Sequence, residues 1–232
     1  LEENDMIVED RYIPSTEALK FIAFIRASGN ESNVSPEVHY KIADALFSNK
    51  KEDRKVLIEC TRGLGKSTTV EYAVIYAAAI GEWPGFGYVP FVAFLGASQE
   101  GNVKQFFRNV ANKIEKSKFI NSILSVKRVT DNEIELVNAD GVEMMIVGRG
   151  MSTNFRGLRS KSGDRPTLVI ADDILSNEVA TSDAIRETID TNWYNSVIPA
   201  LDPTKHKVIF IGTPIGQKDL LSQIRESGTY RV

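Results

Sequence analysis

The feature that most constrains the fold is the segment 55–69, which reads KVLIECTRGLGKSTT. A short apolar run at 56–58 predicts a buried strand, and residues 68–80 are apolar on nearly every side and long enough for a helix. Between them lie the glycine-containing turn 60–65 and then Lys66 and Ser67. A strand, a glycine turn, Gly-Lys-Ser and a helix in this order predict a loop that binds the phosphates of a nucleoside triphosphate.

The residue types of this loop suit phosphate chemistry. Backbone N–H groups of the loop and of the helix start can donate to phosphate oxygens, and the helix dipole adds to the attraction. We expect Lys66 to reach the β- and γ-phosphates and the Ser67 hydroxyl to ligate Mg²⁺. The general pattern begins with glycine, where this sequence has Cys60, so an ordinary glycine turn with a solvated lysine is the alternative. The other residues predicted to bind nucleotide here are Thr61, Arg62, Gly63, Leu64, Gly65 and Thr68.

The composition is that of an ordinary globular chain, with 232 residues, 42% of them hydrophobic and 25% charged. The formal net charge is −3, so a nucleic-acid site would have to be a local basic patch. The single cysteine, Cys60, excludes an internal disulfide and fits a reducing compartment. No apolar run approaches the roughly 20 residues that span a bilayer, so we expect no membrane partner.

The rest of the sequence predicts strands that alternate with helices. Further strands are expected at 91–97, 167–171 and 207–211. Helices are expected at 16–28, 36–48, 103–114, 182–194 and 218–225, with Pro36 at the first helical position of the second one. Three short strands at 124–129, 133–137 and 142–147 predict a β-meander. We therefore expect an α/β fold of the P-loop NTPase (RecA/ASCE-like) type, in which a mainly parallel sheet is flanked by helices and carries an inserted meander. Residues 1–35 are expected to form an N-terminal arm and helix, and residues 36–232 a P-loop domain.

Two adjacent carboxylates supply a second half for the nucleotide site. The predicted strand at 167–171 ends at Asp172 and Asp173. We expect Asp172 to hold Mg²⁺ through water, because this ion keeps much of its hydration shell. We expect Asp173 to orient or deprotonate the attacking water. A solvated turn is the alternative interpretation of the pair.

Three more side chains are candidates for the chemistry. Arg62 lies inside the loop, and Arg156 lies in the segment NFRGLR before the acidic strand. An arginine at the phosphates accelerates phosphoryl transfer, within its own subunit for Arg62 and on a neighbouring subunit for Arg156. Thr213 follows another strand, where it would line the ligand crevice and could sense the γ-phosphate. A surface arginine and a plain strand-ending turn are the alternatives.

In combination these motifs resemble the ATPase domain of phage terminase large subunits, the DNA-packaging motors of tailed phages. The motifs are TRGLGKS, FRGLR, ADD and IGTP, and the resemblance covers about residues 36 to 216. The RGLGKS loop and the Asp-Asp pair look most like those of the terminases of short-tailed podophages. The resemblance implies an enzyme that uses ATP and Mg²⁺ and assembles as a homo-oligomeric ring on the portal protein, though it can be monomeric when isolated. Double-stranded DNA and the small terminase subunit would be its other partners. Its location would be the host cytoplasm and, transiently, the procapsid.

The resemblance also assigns roles to the residues of the two main motifs. Lys66 and Ser67 become the phosphate-loop (Walker A) residues, and Arg62 becomes the loop arginine. Asp172 becomes the magnesium-associated acid (Walker B). Asp173 takes the place that a glutamate usually holds, which shortens the reach to water by one methylene.

The resemblance extends to residues outside these motifs. Thr213 falls in the motif that couples hydrolysis to movement, and Arg156 is the candidate finger acting across subunits. The family recognises adenine with residues ahead of the loop, where this chain has His39 and Tyr40; a packed or surface pair is the alternative. Full-length members carry a C-terminal nuclease domain, which is absent from this chain, so we expect no nuclease activity.

Where DNA would bind is open at this stage, because phosphate contacts need only local positive charge. Rival functions are another P-loop nucleic-acid translocase of helicase type and a nucleotide-binding assembly module with little turnover. A GTPase is disfavoured, because no Asn-Lys-x-Asp segment is present. The candidate DNA contacts are Lys104, Arg108, Arg149, Arg159, Lys161 and Arg165.

Overall fold

The computed structural model describes residues 11–153, 155–175, 182–215 and 219–232. Within these ranges seven strands form one sheet: β1 Lys55–Glu59, β2 Phe91–Gly96, β3 Leu124–Val129, β4 Glu133–Asn138, β5 Glu143–Gly150, β6 Leu168–Asp172 and β7 Lys207–Gly212. The helices are α1 Thr16–Ser28, α2 Glu37–Leu46, α3 Lys66–Ile80, α4 Lys104–Lys116, α5 Lys118–Ile123, α6 Asp183–Asn192 and α7 Leu220–Glu226. Shorter turns are 3-10 at Lys51–Arg54, π-helical at Gln99–Val103 and Trp193–Val197, and helical at Ile198–Ala200.

The strand order across the sheet is β1-β7-β6-β2-β5-β4-β3. Strands β1, β7, β6, β2 and β5 run parallel, and only the β5–β4 and β4–β3 pairs are antiparallel. The predicted α/β fold with a mainly parallel sheet is therefore confirmed. The meander β3–β5 continues the same sheet, because β5 pairs in parallel with β2 along its length.

Each face of the sheet is covered by a hydrophobic core. The core on one side contains apolar residues of α1 to α5, and the core on the other side contains residues of α6, α7 and the π-helical turn Trp193–Val197. All six residues of β2 and of β7 are buried, as expected for central strands covered on both faces. This two-sided burial holds the carboxyl ends of the strands, and hence the candidate site, in fixed positions.

The apolar face that the sequence predicts for helix α4 packs against the sheet. Phe106, Phe107 and the other apolar residues predicted for one face of this helix are all buried, and the Phe106 ring stacks on Phe94 with centroids 3.8 Å apart. A Cβ added at Gly148 in β5 would lie 2.4 Å from Phe107 Cε2. Glycine at this position therefore lets α4 approach the sheet closely.

Several predicted boundaries need correction. Helix α3 begins at Lys66 rather than at Thr68, because the loop turns directly into the helix. Pro36 is the N-cap of α2 and not its first helical residue, since its ψ of 162° is extended. Helix α5 was not predicted; it is only six residues long and begins where the Ser117 hydroxyl accepts a bond from the Ile120 N–H. Strand β6 includes Asp172. The predicted arm falls largely outside the described residues, as do Asn154 of the NFRGLR segment and the expected start of the last helix at residue 218.

None of the described helices is both long enough and apolar enough to cross a membrane.

Candidate functional site

The phosphate loop joins β1 to α3 through two glycines in the left-handed region. Gly63 has φ of +84° and Gly65 has φ of +68°, and Gly65 is the N-cap of α3. These conformations strain any residue with a Cβ, which explains both glycines. The first N–H groups of an α-helix have no partner within the helix, so the start of α3 offers donors to an anion.

Lys66 is buried at the start of α3, and its ammonium group is fully engaged within the chain. The Lys66 Nζ donates to the carbonyl oxygens of Cys60 at 3.3 Å and Thr61 at 3.1 Å, and to Thr213 Oγ1 at 2.9 Å. The Thr213 hydroxyl in turn donates to the Cys60 carbonyl at 3.1 Å. The loop and the end of β7 are thus joined through one lysine and one threonine.

The ends of β1, β7 and β6 converge at the same edge of the sheet. Strand β7 lies between β1, which leads into the loop, and β6, which ends in the two aspartates. Asp173 donates its backbone N–H to the Ile211 carbonyl at 2.9 Å, and its Oδ1 accepts the Thr213 N–H at 3.1 Å. Its φ of +44° is the only positive φ of a non-glycine residue in the described ranges. Lys66, Thr213 and Asp173 therefore form one connected chain of hydrogen bonds.

Asp172 is buried beside the loop and is poised between its two protonation states. Burial raises its pKa from the usual 3.8 to about 7; the Ser67 hydrogen bond opposes this rise, while the charges of Asp173 and Glu71 add to it. Its Oδ1 is buried without a hydrogen-bond partner among the described residues. A buried, unsatisfied carboxylate oxygen is costly unless a cation or water meets it. The Ser67–Asp172 pair therefore fits a hydrated Mg²⁺.

Glu71, which sequence reasoning missed, is a third acid at this end of the sheet. It is buried on α3, four residues after Ser67, and its Oε1 accepts the Asn109 Nδ2 at 2.7 Å. Its Oε2 lies 3.3 Å from Lys113 Nζ. Burial raises the Glu71 pKa, and the bond from Asn109 and the charge of Lys113 lower it. The available signal was a single carboxylate inside the apolar run of α3.

A cavity of about 310 Å³ opens beside the loop. Its lining includes Gly65, Thr68 and Tyr72 from the loop and α3, and Pro36 and His39 from the start of α2. The His39 Nε2 lies 2.9 Å from the Leu64 carbonyl oxygen, which ties α2 to the loop. The two residues ahead of the loop thus differ: His39 lines this cavity, whereas Tyr40 packs against the core on the α1–α5 side.

The two candidate arginines lie in different places. Arg62 is exposed on the loop. Arg156 is exposed and lines a depression of about 190 Å³ together with Arg159 and Arg165. No residue of the phosphate loop lines this depression. Arg165 precedes β6, at the strand end opposite the aspartates, and Arg156 lines the same depression as Arg165.

The candidate DNA contacts differ in their surroundings. Lys104 pairs with Asp131 at 2.8 Å, and Lys161 pairs with Glu135. Arg108 is exposed on α4. The remaining three donate to backbone carbonyls: Arg149 to Gly148, Arg159 to Gly163, and Arg165 to Pro199. A cation already paired with a carboxylate is a weaker attractant for a phosphate, which disfavours the two lysines.

Comparison with known proteins identifies a shared fold. No protein-family model matches the sequence, and no curated protein matches it. Among solved structures, the HK97 bacteriophage large terminase aligns with a TM-score of 0.62 at 13% identity over 94% of this chain and 43% of that one. A complex of S. cerevisiae dbp5 with gle1 and ip6 aligns with a TM-score of 0.45 at 12% identity, covering 92% of this chain and 48% of that one. The Phi-28 gp11 DNA packaging motor aligns with a TM-score of 0.38 at 13% identity, covering 68% and 46%.

Of these three alignments, the one with the HK97 terminase is close enough to show a common fold. The chain therefore shares the fold of the aligned part of that terminase and spans less than half of its length. Sequence identity this low shows a shared fold, not a shared activity, substrate or partner.

Proposed function

We propose that this chain is the ATP-hydrolysing motor domain of a viral terminase large subunit, which moves double-stranded DNA into a procapsid. Residues 36–232 would form the motor domain itself, and the residues before them an N-terminal arm and helix. The observation that supports it best is the chain of hydrogen bonds from Lys66 through Thr213 to Asp173. It joins the phosphate loop to the acidic strand end, as a site for a triphosphate requires. The shared fold with the HK97 large terminase and the sequence motifs support the packaging role.

Each residue of this site would have a separate role in ATP hydrolysis. The loop amides and Lys66 would bind the phosphates, with Lys66 exchanging its carbonyl partners for phosphate oxygens. Ser67 and Asp172 would hold Mg²⁺, which when bound neutralises charge on the β- and γ-phosphates. Asp173 would orient and deprotonate the attacking water with Oδ2, since its Oδ1 accepts the Thr213 N–H. Thr213 would then report the state of the phosphates to β7.

The two arginines would stabilise charge on the transferred phosphoryl group from different subunits. Arg62 belongs to the loop and would act in its own subunit. Arg156 would act on the nucleotide of a neighbour, which agrees with its place in a depression that no residue of the phosphate loop lines. A ring on the portal protein, with the small terminase subunit as a further partner, would supply that neighbour. The protein would then work in the host cytoplasm and at the procapsid. The nuclease activity of the family is not proposed for these residues.

The base of the nucleotide would occupy the cavity beside the loop. This cavity adjoins Gly65 and Thr68, which follow the phosphate-binding amides in space, and it presents the His39 imidazole and the Tyr72 ring. The volume of about 310 Å³ is in the range of small-molecule sites. We therefore assign adenine recognition to His39, with Tyr40 supporting α2 from the core.

ATP hydrolysis measured against protein concentration tests the proposal. We expect weak turnover that rises with concentration, because Arg156 acts between subunits. Lys66→Ala and Asp173→Ala should abolish it, and Arg156→Ala should lower it by about 10³-fold or more, the range for an arginine at the phosphates. Lys161→Ala, which removes a positive charge from the same loop, is the matched control and should hydrolyse ATP normally.

Mixing experiments separate the alternatives. Arg156→Ala protein mixed with Asp173→Ala protein should regain activity, since each supplies what the other lacks. Failure of every mixture to regain activity contradicts the role of Arg156 between subunits. Nucleotide binding without turnover at any concentration would favour the assembly module, and turnover that needs single-stranded nucleic acid would favour a helicase-like translocase. No binding of ATP at all would refute the proposal.

A further inference from the structure

The depression lined by Arg156, Arg159 and Arg165 is a second candidate binding site. It lies on the sheet face covered by α6 and α7, because its neighbours Phe155 and Ala200 belong to the core on that side. The rest of its lining is neutral, and no aspartate or glutamate of the described residues contributes to it. Since Arg156 is assigned to the nucleotide of a neighbouring subunit, Arg159 and Arg165 are the arginines that predict a ligand with negative charge in this space of about 190 Å³.

Two of these arginines are held in place by backbone carbonyl groups. The Arg165 Nη1 donates to the Pro199 carbonyl at 3.0 Å, and the Arg159 Nη1 donates to the Gly163 carbonyl at 2.9 Å. A guanidinium group has five N–H donors, so each retains donors for a ligand. A carbonyl partner fixes the group without neutralising its charge. Both side chains are therefore oriented in advance and still positively charged.

A neighbouring cation outside the depression is neutralised. Lys161 lies two residues after Arg159, and it pairs with Glu135. In a chain with a net charge of −3, the depression is therefore a local positive patch, because the described residues that line it include arginines and no carboxylate.

One wall of the depression is a π-helical turn, Trp193–Val197. It contributes Asn195 and Ser196 to the lining, and it is anchored by the buried Trp193 ring against Phe210, with centroids 5.2 Å apart. Such turns are rare in proteins and occur frequently at functional sites. The wall therefore presents polar side chains from a rigid base.

We infer that this depression binds backbone phosphates of double-stranded DNA. The inference rests on the proposed function, which supplies the DNA, and it adds where the duplex lies: on the face of the sheet opposite α3. Guanidinium groups match the geometry of phosphate oxygens and bind them through paired hydrogen bonds. Since the patch offers charge rather than a base-reading surface, binding should not depend on sequence.

The salt dependence of DNA binding tests this inference. Fluorescence anisotropy of a labelled 30-base-pair duplex of mixed sequence is followed from 50 mM to 1 M salt. Each lost phosphate contact lowers the slope of log K against log salt by about 0.9, which amounts to about 15-fold in affinity between these limits. We expect this loss for Arg159→Gln and for Arg165→Gln, and twice this slope change for the double variant.

The controls separate the depression from net charge and from folding. Lys161→Gln removes the same charge from the same loop outside the depression and should leave the slope unchanged. Arg165→Lys keeps the charge and should keep the slope, and thermal melting of each variant reports folding. Arg156 is not used, because it also belongs to the proposed catalytic machinery.

Two outcomes overturn the inference. One is a wild-type slope in both glutamine variants. The other is an equal loss in Lys161→Gln, which would reveal a bulk charge effect. If instead the glutamine variants change only the concentration dependence of ATP hydrolysis, the depression is a contact between subunits and the inference fails while the proposed function stands. Absence of ATP binding with the expected slopes would refute the proposed function alone.

Discussion

Replacing Asp172 with asparagine should stabilise the metal-free protein, and more so as the pH rises. Burial raises the pKa of Asp172 to about 7; the Ser67 hydrogen bond and the Lys66 charge oppose this shift, and the charges of Asp173 and Glu71 favour it. A carboxylate with a raised pKa binds its proton more tightly in the folded state than in the unfolded state. The folded state therefore loses stability as the pH rises from about 4 to about 7. Asparagine keeps the shape of the side chain and cannot ionise.

The free energy by which ionised Asp172 destabilises the folded state follows from its two pKa values. With 3.8 in the unfolded state and about 7 in the folded state, ionisation costs less than about 1 kcal/mol at pH 4 and about 4 kcal/mol at pH 8. For a chain of this length about 4 kcal/mol corresponds to roughly 8–16 °C in melting temperature. We thus expect Asp172→Asn to melt well above the wild type at pH 8 and close to it at pH 4.

The assay is thermal melting in EDTA at several pH values, with Asp140→Asn as the control. Asp140 is exposed in the turn between β4 and β5, so its removal changes the net charge equally but should not raise the melting temperature. If Asp172→Asn raised the melting temperature equally at pH 4 and pH 8, the result would refute the reasoning. A lower stability of this variant at pH 8 would refute it too. Asp172→Asn should also lose Mg²⁺-dependent ATP hydrolysis, which marks a residue retained for function at a cost in stability.

Two further substitutions test the fold. Gly85→Ala should destabilise the protein by at least about 1–3 kcal/mol in urea titrations, because Gly85 has φ of +73° and a Cβ would lie 2.5 Å from the Phe47 carbonyl oxygen. Gly29→Ala, with φ of +69° and open space around the new Cβ, should cost less, and an equal cost would show that the contact is irrelevant. Burial lowers the pKa of Lys207 to about 8, so its charged amine destabilises the folded state at pH 7 and ceases to do so near pH 10. The stability of Lys207→Met relative to wild type should therefore fall by about 2–3 kcal/mol between pH 7 and pH 10, and a constant difference would contradict this pKa.

The sequence predicted elements where one pattern repeats over many residues. The apolar runs of β2 and β7 and the spacing of Phe106, Phe107 and their neighbours in α4 have a direct physical meaning, because burial is set by the side chains themselves. Helix α5 and the true position of Pro36 were missed. The helix is too short to establish a period, and a proline at a helix start is compatible with either the cap or the first turn.

The site was predictable only in its parts. The loop and the two aspartates have local signatures, but nothing in the sequence showed that β7 lies between β1 and β6, since strand order depends on contacts between distant segments. For the same reason Thr213 gave no sign of its bond to Lys66, and Glu71 gave none of its bonds to α4. For Arg156 the sequence motif indicated a role, but it did not show where the side chain lies in the fold.

The hydrogen bonds made by Lys66 have a consequence for which anions the phosphate loop can bind. With its three N–H bonds directed at Cys60, Thr61 and Thr213, the buried Lys66 side chain offers no exposed ammonium group to passing anions. An incoming molecule must replace all three acceptors at once, which a chain of phosphates can do and a single phosphate ion does poorly. If the loop binds a nucleoside triphosphate as proposed, inorganic phosphate should therefore be a weak competitor even where it is abundant.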